Sequence, residues 1–154
     1  MSMFTAFDIN ASGMTAERYR MDIISQNVAN TNTTRTEDGT PYRRKVVVFE
    51  EKNSRTPFRH VLSKASNRYS NNGGYSGNGV KVTGVFEDKW TEMKMVYDPS
   101  HPDADENGYV LYPNVNTVTE MTNLIDASRA YQANATAFNA SKSIATTGLN
   151  MRTN

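Results

Sequence analysis

The sequence predicts an α+β fold: long N- and C-terminal helices pair as a coiled-coil or bundle domain, with a small β-rich region between them. Three observations predict it. Near the start, Phe7, Met14, Met21 and Val28 recur at intervals of seven, with Phe4 and Ala11 between them. Near the end, Leu124, Tyr131, Phe138 and Ala145 recur at the same interval, with Met121, Ala135 and Leu149 between them. The stretch separating these ends holds short β-branched runs broken by Gly, Pro, Asn and Asp. A seven-residue repeat keeps one narrow apolar stripe turned toward a partner helix, whereas an ordinary surface helix carries a broader face. Both ends are therefore expected to meet another helix.

The first helix is expected from about Ser2 to Ala29, where the polar cluster NTNTTRTEDGTP, with its turn formers and Pro41, stops it. At 1.5 Å per residue it is about 40 Å long, too long to be buried on a small core. YRRKVVVFEE follows, and its β-branched centre reads as a strand. The polar stretch Asn53 to Gly79 contains NNGGYSGNG and is expected as a loop or flexible hairpin tip. VKVTGVFE and KMVYD are the next strands. DPSHPDADENGYVLYP, rich in Pro, Asp and Gly, is expected as an ordered irregular connector. Past Pro113 the helical pattern resumes, with Asn114 or Asn116 as N-cap, and runs to about Leu149, roughly 50 Å. Its opposite side carries Ala127, Ala130, Ala133, Ala137 and Ala140, small enough for close approach of neighbouring helices, although alanine is also simply a good helix former. Residues 1–34 plus 110–154 then form a helical domain, and 35–109 a β-rich region with a flexible loop at about 52–79.

Composition excludes several function classes. A hydrophobic fraction of 37% and a mean hydropathy of -0.66 leave little material for a large core once two long helices are set aside, so a compact catalytic domain is disfavoured. With 17 basic and 16 acidic residues the chain lacks the broad basic field of a nucleic-acid binder. There is no cysteine, which excludes disulfides, thiolate zinc sites and thiol catalysis. Asp8, Asn10 and Ser12 interrupt the N-terminal stretch, which lacks the basic start and continuous apolar run of a secretory signal. No segment nears the roughly twenty apolar residues that span a bilayer, so no direct membrane insertion is expected, and any export must use a route without a Sec signal.

Candidate chemistry is sparse. Asp103, Asp105, Asn107 and Gly108 match the first positions of a calcium loop, but the position that needs a bidentate glutamate is Asn114, and Pro99 and Pro102 bar a clean entering helix. A turn whose carboxylates cap backbone amides is the expectation there. His60 and His101 sit in no metal-ligand or nucleophile-base spacing. The glycine string from Gly73 to Gly79 lacks the ending that cradles phosphate. Arg43, Arg44 and Lys45 form the densest positive cluster, either a patch for an acidic partner or the solvated start of a strand. No catalytic residue, metal or cofactor is expected. The enzyme rival would have to use Asp103, Asp105 and His101.

The string NASGMTAERYRMDIISQNVANTNTTRT resembles the N-terminal signature of the bacterial flagellar axial proteins, the rod and hook family, in which Ser-x-Asn-(Val/Ile/Leu)-Ala-Asn-x-(Asn/Asp) closes the first helix. Here the positions are Ser25, Asn27, Val28, Ala29, Asn30 and Asn32. PYRRKVVVFEE, VYDPSHPDADENGYVLYPNVN and EMTNLIDASRAYQANATAFNASKS extend the resemblance toward the proximal-rod members, leaving out chiefly Lys52 to Gly79. The resemblance implies a structural subunit without catalysis that polymerises through its terminal helices into the hollow proximal rod of the flagellar basal body. It implies partners too: copies of itself, other rod subunits, MS-ring and export-gate adaptor proteins, and the flagellar type III export apparatus. The helical domain becomes an inner tube, and the β-rich part an outer region. One departure is the ending ATTGLNMRTN, where family members carry a run like Leu-Lys-Ala-Leu-Glu; Gly148 is expected to break the helix near its last apolar residue.

A narrow stripe on a lone helix cannot offset an ordering cost of about 1–2 kcal/mol per residue, so the free subunit is expected to have loose ends that fold fully on assembly. The alternatives are another rod or hook subunit of the same family, or a self-contained coiled-coil binding module whose helices close on each other.

Overall fold

The computed structural model describes residues 3–52 and 78–152. Most of the loop expected at 52–79, with His60 and nearly all of the Gly73 to Gly79 string, lies outside the described residues. The elements run α1 (Met3–Ala29), β1 (Lys45–Glu51), β2 (Val80–Glu87), β3 (Lys94–Tyr97), β4 (Tyr109–Tyr112) and α2 (Thr117–Arg152), an α+β chain with a helix at each end.

α2 starts where Asn116 Oδ1 accepts from the amides of Val118 and Thr119, at 3.1 and 3.3 Å, so Asn116 is the N-cap. Along this Ser/Thr-rich helix the hydroxyls of Thr122, Thr136, Ser141 and Thr147 each donate to the carbonyl four residues back, which keeps them satisfied on an exposed surface. The expected break at Gly148 does not occur, because α2 continues to Arg152. A glycine inside a helix costs only about 0.5–1 kcal/mol relative to alanine, too little to end a helix with 31 residues already formed ahead of it, from Thr117 to Thr147.

The helices are antiparallel. Phe7 meets Phe138 edge to face with ring centroids 5.1 Å apart, Gly13 lies against Asn134, and Asn27 bonds Glu120. Among the regular elements described, α2 packs against α1 alone, while α1 also carries β1 and β2. β1 and β2 pair antiparallel from Lys45↔Glu87 to Glu51↔Val80, with an irregularity between Val48 and Phe49. Lys45 begins beside Asn27, and at the other end Val80 N donates to Ser12 Oγ at 3.0 Å. Ser12 to Asn27 spans about 22 Å of helix, and seven strand residues span about 23 Å, so the hairpin runs alongside the C-terminal part of α1 and stops level with Ser12. Beyond that level the two helices continue as a two-helix arm.

The connector expected before α2 is in part a strand. β4 pairs with β3 from Lys94↔Tyr112 to Tyr97↔Tyr109, leaving 98–108 as the hairpin loop. YVLY is aromatic and β-branched, but at four residues it is too short to stand out beside the Pro and Asp around it. The core is small: Ala16, Ile24, Tyr42, Val110, Val115 and Ala127 are its buried apolar side chains. It sits where α1, the start of α2 and the two hairpins meet.

Candidate functional site

The most completely buried groups at this junction are polar. Asn27 is 0% and Glu120 1% exposed. Asn27 Oδ1 accepts from the Tyr42 hydroxyl and from Lys45 N, both at 2.9 Å, and its Nδ2 donates to Lys45 O at 2.9 Å and to Glu120 Oε2 at 2.8 Å. Glu120 Oε1 accepts from Arg44 Nε at 2.9 Å and pairs with Arg44 Nη2 at 2.8 Å. The Arg44 amide donates to Asn114 Oδ1 at 2.8 Å, and Asn114 Nδ2 reaches Asp88 O and Thr91 O at 2.9 and 3.1 Å. One connected network thus ties the end of α1, the start of β1, the turn after β2 and the start of α2.

A carboxylate removed from water is tolerable only when paired and hydrogen-bonded, which Arg44 and Asn27 supply to Glu120. Burial and the neighbouring charges of Glu120 and Glu87 push the Tyr42 hydroxyl up to about 12, so it stays a neutral donor to Asn27. The Thr91 hydroxyl and amide hold the Asp88 carboxyl below its ordinary value. Every polar atom here faces a protein partner and none is aimed into a cleft at a reacting position. The arrangement fixes segments relative to one another.

Of the motif residues, the structure brings Asn27 into this network. Asn30 shapes the helix exit, with Nδ2 donating to Gln26 O and Oδ1 accepting from the Thr33 hydroxyl. Val28 is half-buried, and Ser25, Ala29 and Asn32 are exposed. Of the stripe residues, Phe7 and Phe138 touch, while Ala11, Met14, Met21, Leu124, Tyr131, Ala135 and Ala145 are half-buried. Phe4, Met121 and Leu149 are exposed, Phe4 to 71%. Ala16, Ile24 and Ala127, outside the heptad positions, are more buried than any stripe residue, because α1 is covered by α2 and by the β1–β2 hairpin at once, which widens its inner face.

Arg44, Glu120, Tyr42 and Asn114 were not legible as a site. Arg44 stood in a basic cluster and Glu120 in a helix first turn, but they are 76 residues apart and nothing local couples them. In the calcium-like string, Asp105 Oδ1 accepts from the amides of Asn107 and Tyr109, and Gly108 turns at φ 80°, which makes a carboxylate-capped turn. Asp103 Oδ2 accepts from the Thr34 hydroxyl, and His101 Nδ1 accepts from the Asp103 amide. Among the described residues no helix is long and apolar enough to cross a membrane.

Comparison with known proteins agrees with this division. Residues 7–35, the end of α1 and its exit, match the family model described as flagella basal body rod protein. Residues 106–151, β4 with α2, match the model described as flagellar basal body rod FlgEFG protein C-terminal. Similar over nearly the whole chain is the flagellar basal-body rod protein FlgC of Borreliella burgdorferi, at 43% identity, covering 94% of this chain and 93% of the relative. The FlgC of Bacillus subtilis is 41% identical, covering 92% and 93%, and that of Salmonella typhimurium 39%, covering 94% and 93%.

Proposed function

The chain belongs to the FlgC family of flagellar basal-body rod proteins; it is a structural subunit of the proximal rod, and we propose that it polymerises through the arm formed by its terminal helices. The observation that carries this reading is that the family likeness runs through α1, the β elements and α2 together, so it attaches to the whole architecture rather than to one motif. In this reading the polar network fixes where the β hairpins sit on the helix pair, and the arm beyond Ser12, with Phe7, Phe138 and Ala145, is the coiled-coil part completed by neighbours in the polymer. Residues 1–34 plus 110–154 then supply the inner tube, and 35–109 the outer region. The partners are copies of this chain, other rod subunits, and the MS-ring and export-gate adaptors at the rod base. Delivery goes through the flagellar type III apparatus to the cell-envelope space, in keeping with an N-terminal stretch that lacks a Sec-like apolar run. No step of this function is catalytic.

The test is incorporation. Phe138→Ala removes one ring of the Phe7–Phe138 pair, and Met21→Asp puts a charge on the stripe. Each is expected to lower the amount of chain recovered in purified basal bodies and to reduce motility, while Phe138→Ala leaves the soluble chain folded around Asn27 and Glu120. Normal incorporation of both variants would remove the stripe from the interface.

A further inference from the structure

We propose that β3–β4 carries a second contact between copies of this chain, in which Trp90 of one copy enters the cleft beside Tyr109 and Leu111 of the next. The proposal rests on the rod reading, because a polymer is what presents a neighbouring copy to this face.

The register sets Met95 opposite Leu111 and Tyr97 opposite Tyr109, and Val96 opposite Val110. Val110 is fully buried, so alternation turns the first two pairs to the other face, where all four side chains are between 41 and 64% exposed. They form a set platform: the Tyr97 and Tyr109 rings meet edge to face at 5.2 Å, and a Cβ on Gly108 would stand 3.0 Å from the Tyr97 ring. A two-stranded hairpin is marginal in water, and one that turns four large apolar side chains outward gains by being covered.

Next to this platform Tyr109 and Leu111 line one wall of a cleft of about 270 to 300 Å³ scale, its own volume being ≈ 300 Å³, and Pro41, Pro102, Arg35 and Asp103 line the rest. The chain also owns a side chain shaped for such a cleft. Trp90, its single tryptophan, stands 95% exposed on the turn before β3. That turn is firmly held, with Asp88 capping the amides of Trp90 and Thr91 and Asn114 bonding the carbonyls of Asp88 and Thr91. The indole is thus a rigid knob rather than a loose one, and aromatic anchors seated in pockets dominate interface energies.

Size points the same way. Trp90 with the four platform side chains presents on the order of 500–700 Å² of apolar-rich surface. That is close to the ~800 Å² that each partner buries in a stable protein interface. A knob and a cleft at different places on one chain form a heterologous contact, which propagates without closing, as an axial polymer needs, whereas a self-complementary patch would stop at a dimer.

The test places a photoreactive benzophenone side chain at position 90 of the full-length chain in cells, with irradiation of intact basal bodies. The expected product has the mass of two copies, and peptide mapping joins position 90 to residues between 97 and 111. The same side chain at position 109 supplies the reciprocal, joining to the 88–91 turn of a second copy, and stands in if the first variant does not incorporate. Adducts to a different protein or to another region, or no adduct from either incorporated variant, would overturn the proposal and leave the rod reading standing. Absence of the unsubstituted chain from basal bodies would overturn the rod reading and the proposal with it.

Discussion

Asn27 shows how much one side chain can hold. All of its side-chain hydrogen-bonding groups are engaged with Tyr42, Lys45 and Glu120, at 2.8–2.9 Å. Asn27→Ala leaves the amide and carbonyl of Lys45 and one oxygen of buried Glu120 short of a partner, so a loss of about 2–4 kcal/mol is expected in urea unfolding. Arg44→Ala strands the Glu120 carboxylate and is expected to cost about 3–5 kcal/mol, whereas Arg44→Met with Glu120→Leu costs clearly less. A double variant as unstable as Arg44→Ala would show that packing, and not charge pairing, dominates there. Tyr42 gives a pH signature. Its folded pKa, about 12, lies above the ordinary 10.0, so the neutral hydroxyl stabilises the fold fully below pH 10 and that stability is lost as pH rises toward 12. Tyr42→Phe should flatten this alkaline fall, which denaturation midpoints between pH 9 and about 12 would measure. The motif marks Asn27 in the sequence, but its task depends on β1 and α2 arriving from distant parts of the chain.

At the level of elements, the long helices and the first three strands are legible because each carries its own period or β-branched run. The ends of α2 and the existence of β4 are not, since Gly148 and Pro113 are local signals overruled by their surroundings: an already formed helix in one case, a waiting β3 edge in the other. Two glycines make this concrete. Gly148 has helical backbone and open space around it, so Gly148→Ala is expected to stabilise α2 by about 0.5–1 kcal/mol and raise the helical circular dichroism. Gly79 sits at φ 90°, where a Cβ would collide with Ser12 Oγ and come within 3.3 Å of the Ile9 backbone. Gly79→Ala is therefore expected to loosen the β1–β2 hairpin from α1, seen as faster amide exchange at Val80, whose amide bonds Ser12. Unchanged exchange there would mean that the hairpin is held mainly from its Lys45 end.

Across the whole molecule, stabilising contacts are unevenly distributed. The buried side chains and the polar network gather around Asn27, Tyr42, Asn114 and Glu120, while the arm at the other end of the helices has the Phe7–Phe138 pair and a half-exposed seam. Sequence periodicity foresees that both helices seek helical partners, but it cannot reveal that the antiparallel pairing makes one end of the hairpin well covered and the other bare. Such a subunit is ordered where it must present fixed hairpins and open where it must join neighbours. The most direct measurement is amide hydrogen exchange across the full-length soluble chain and again in purified basal bodies. In the soluble chain, residues 16–29 and 117–127 are expected to exchange slowly and residues 3–11 and 138–152 quickly, with the second group becoming protected in the basal body. Strong protection of 3–11 and 138–152 already in the soluble chain would mean a self-sufficient helical hairpin, and would contradict a fold completed by polymerisation.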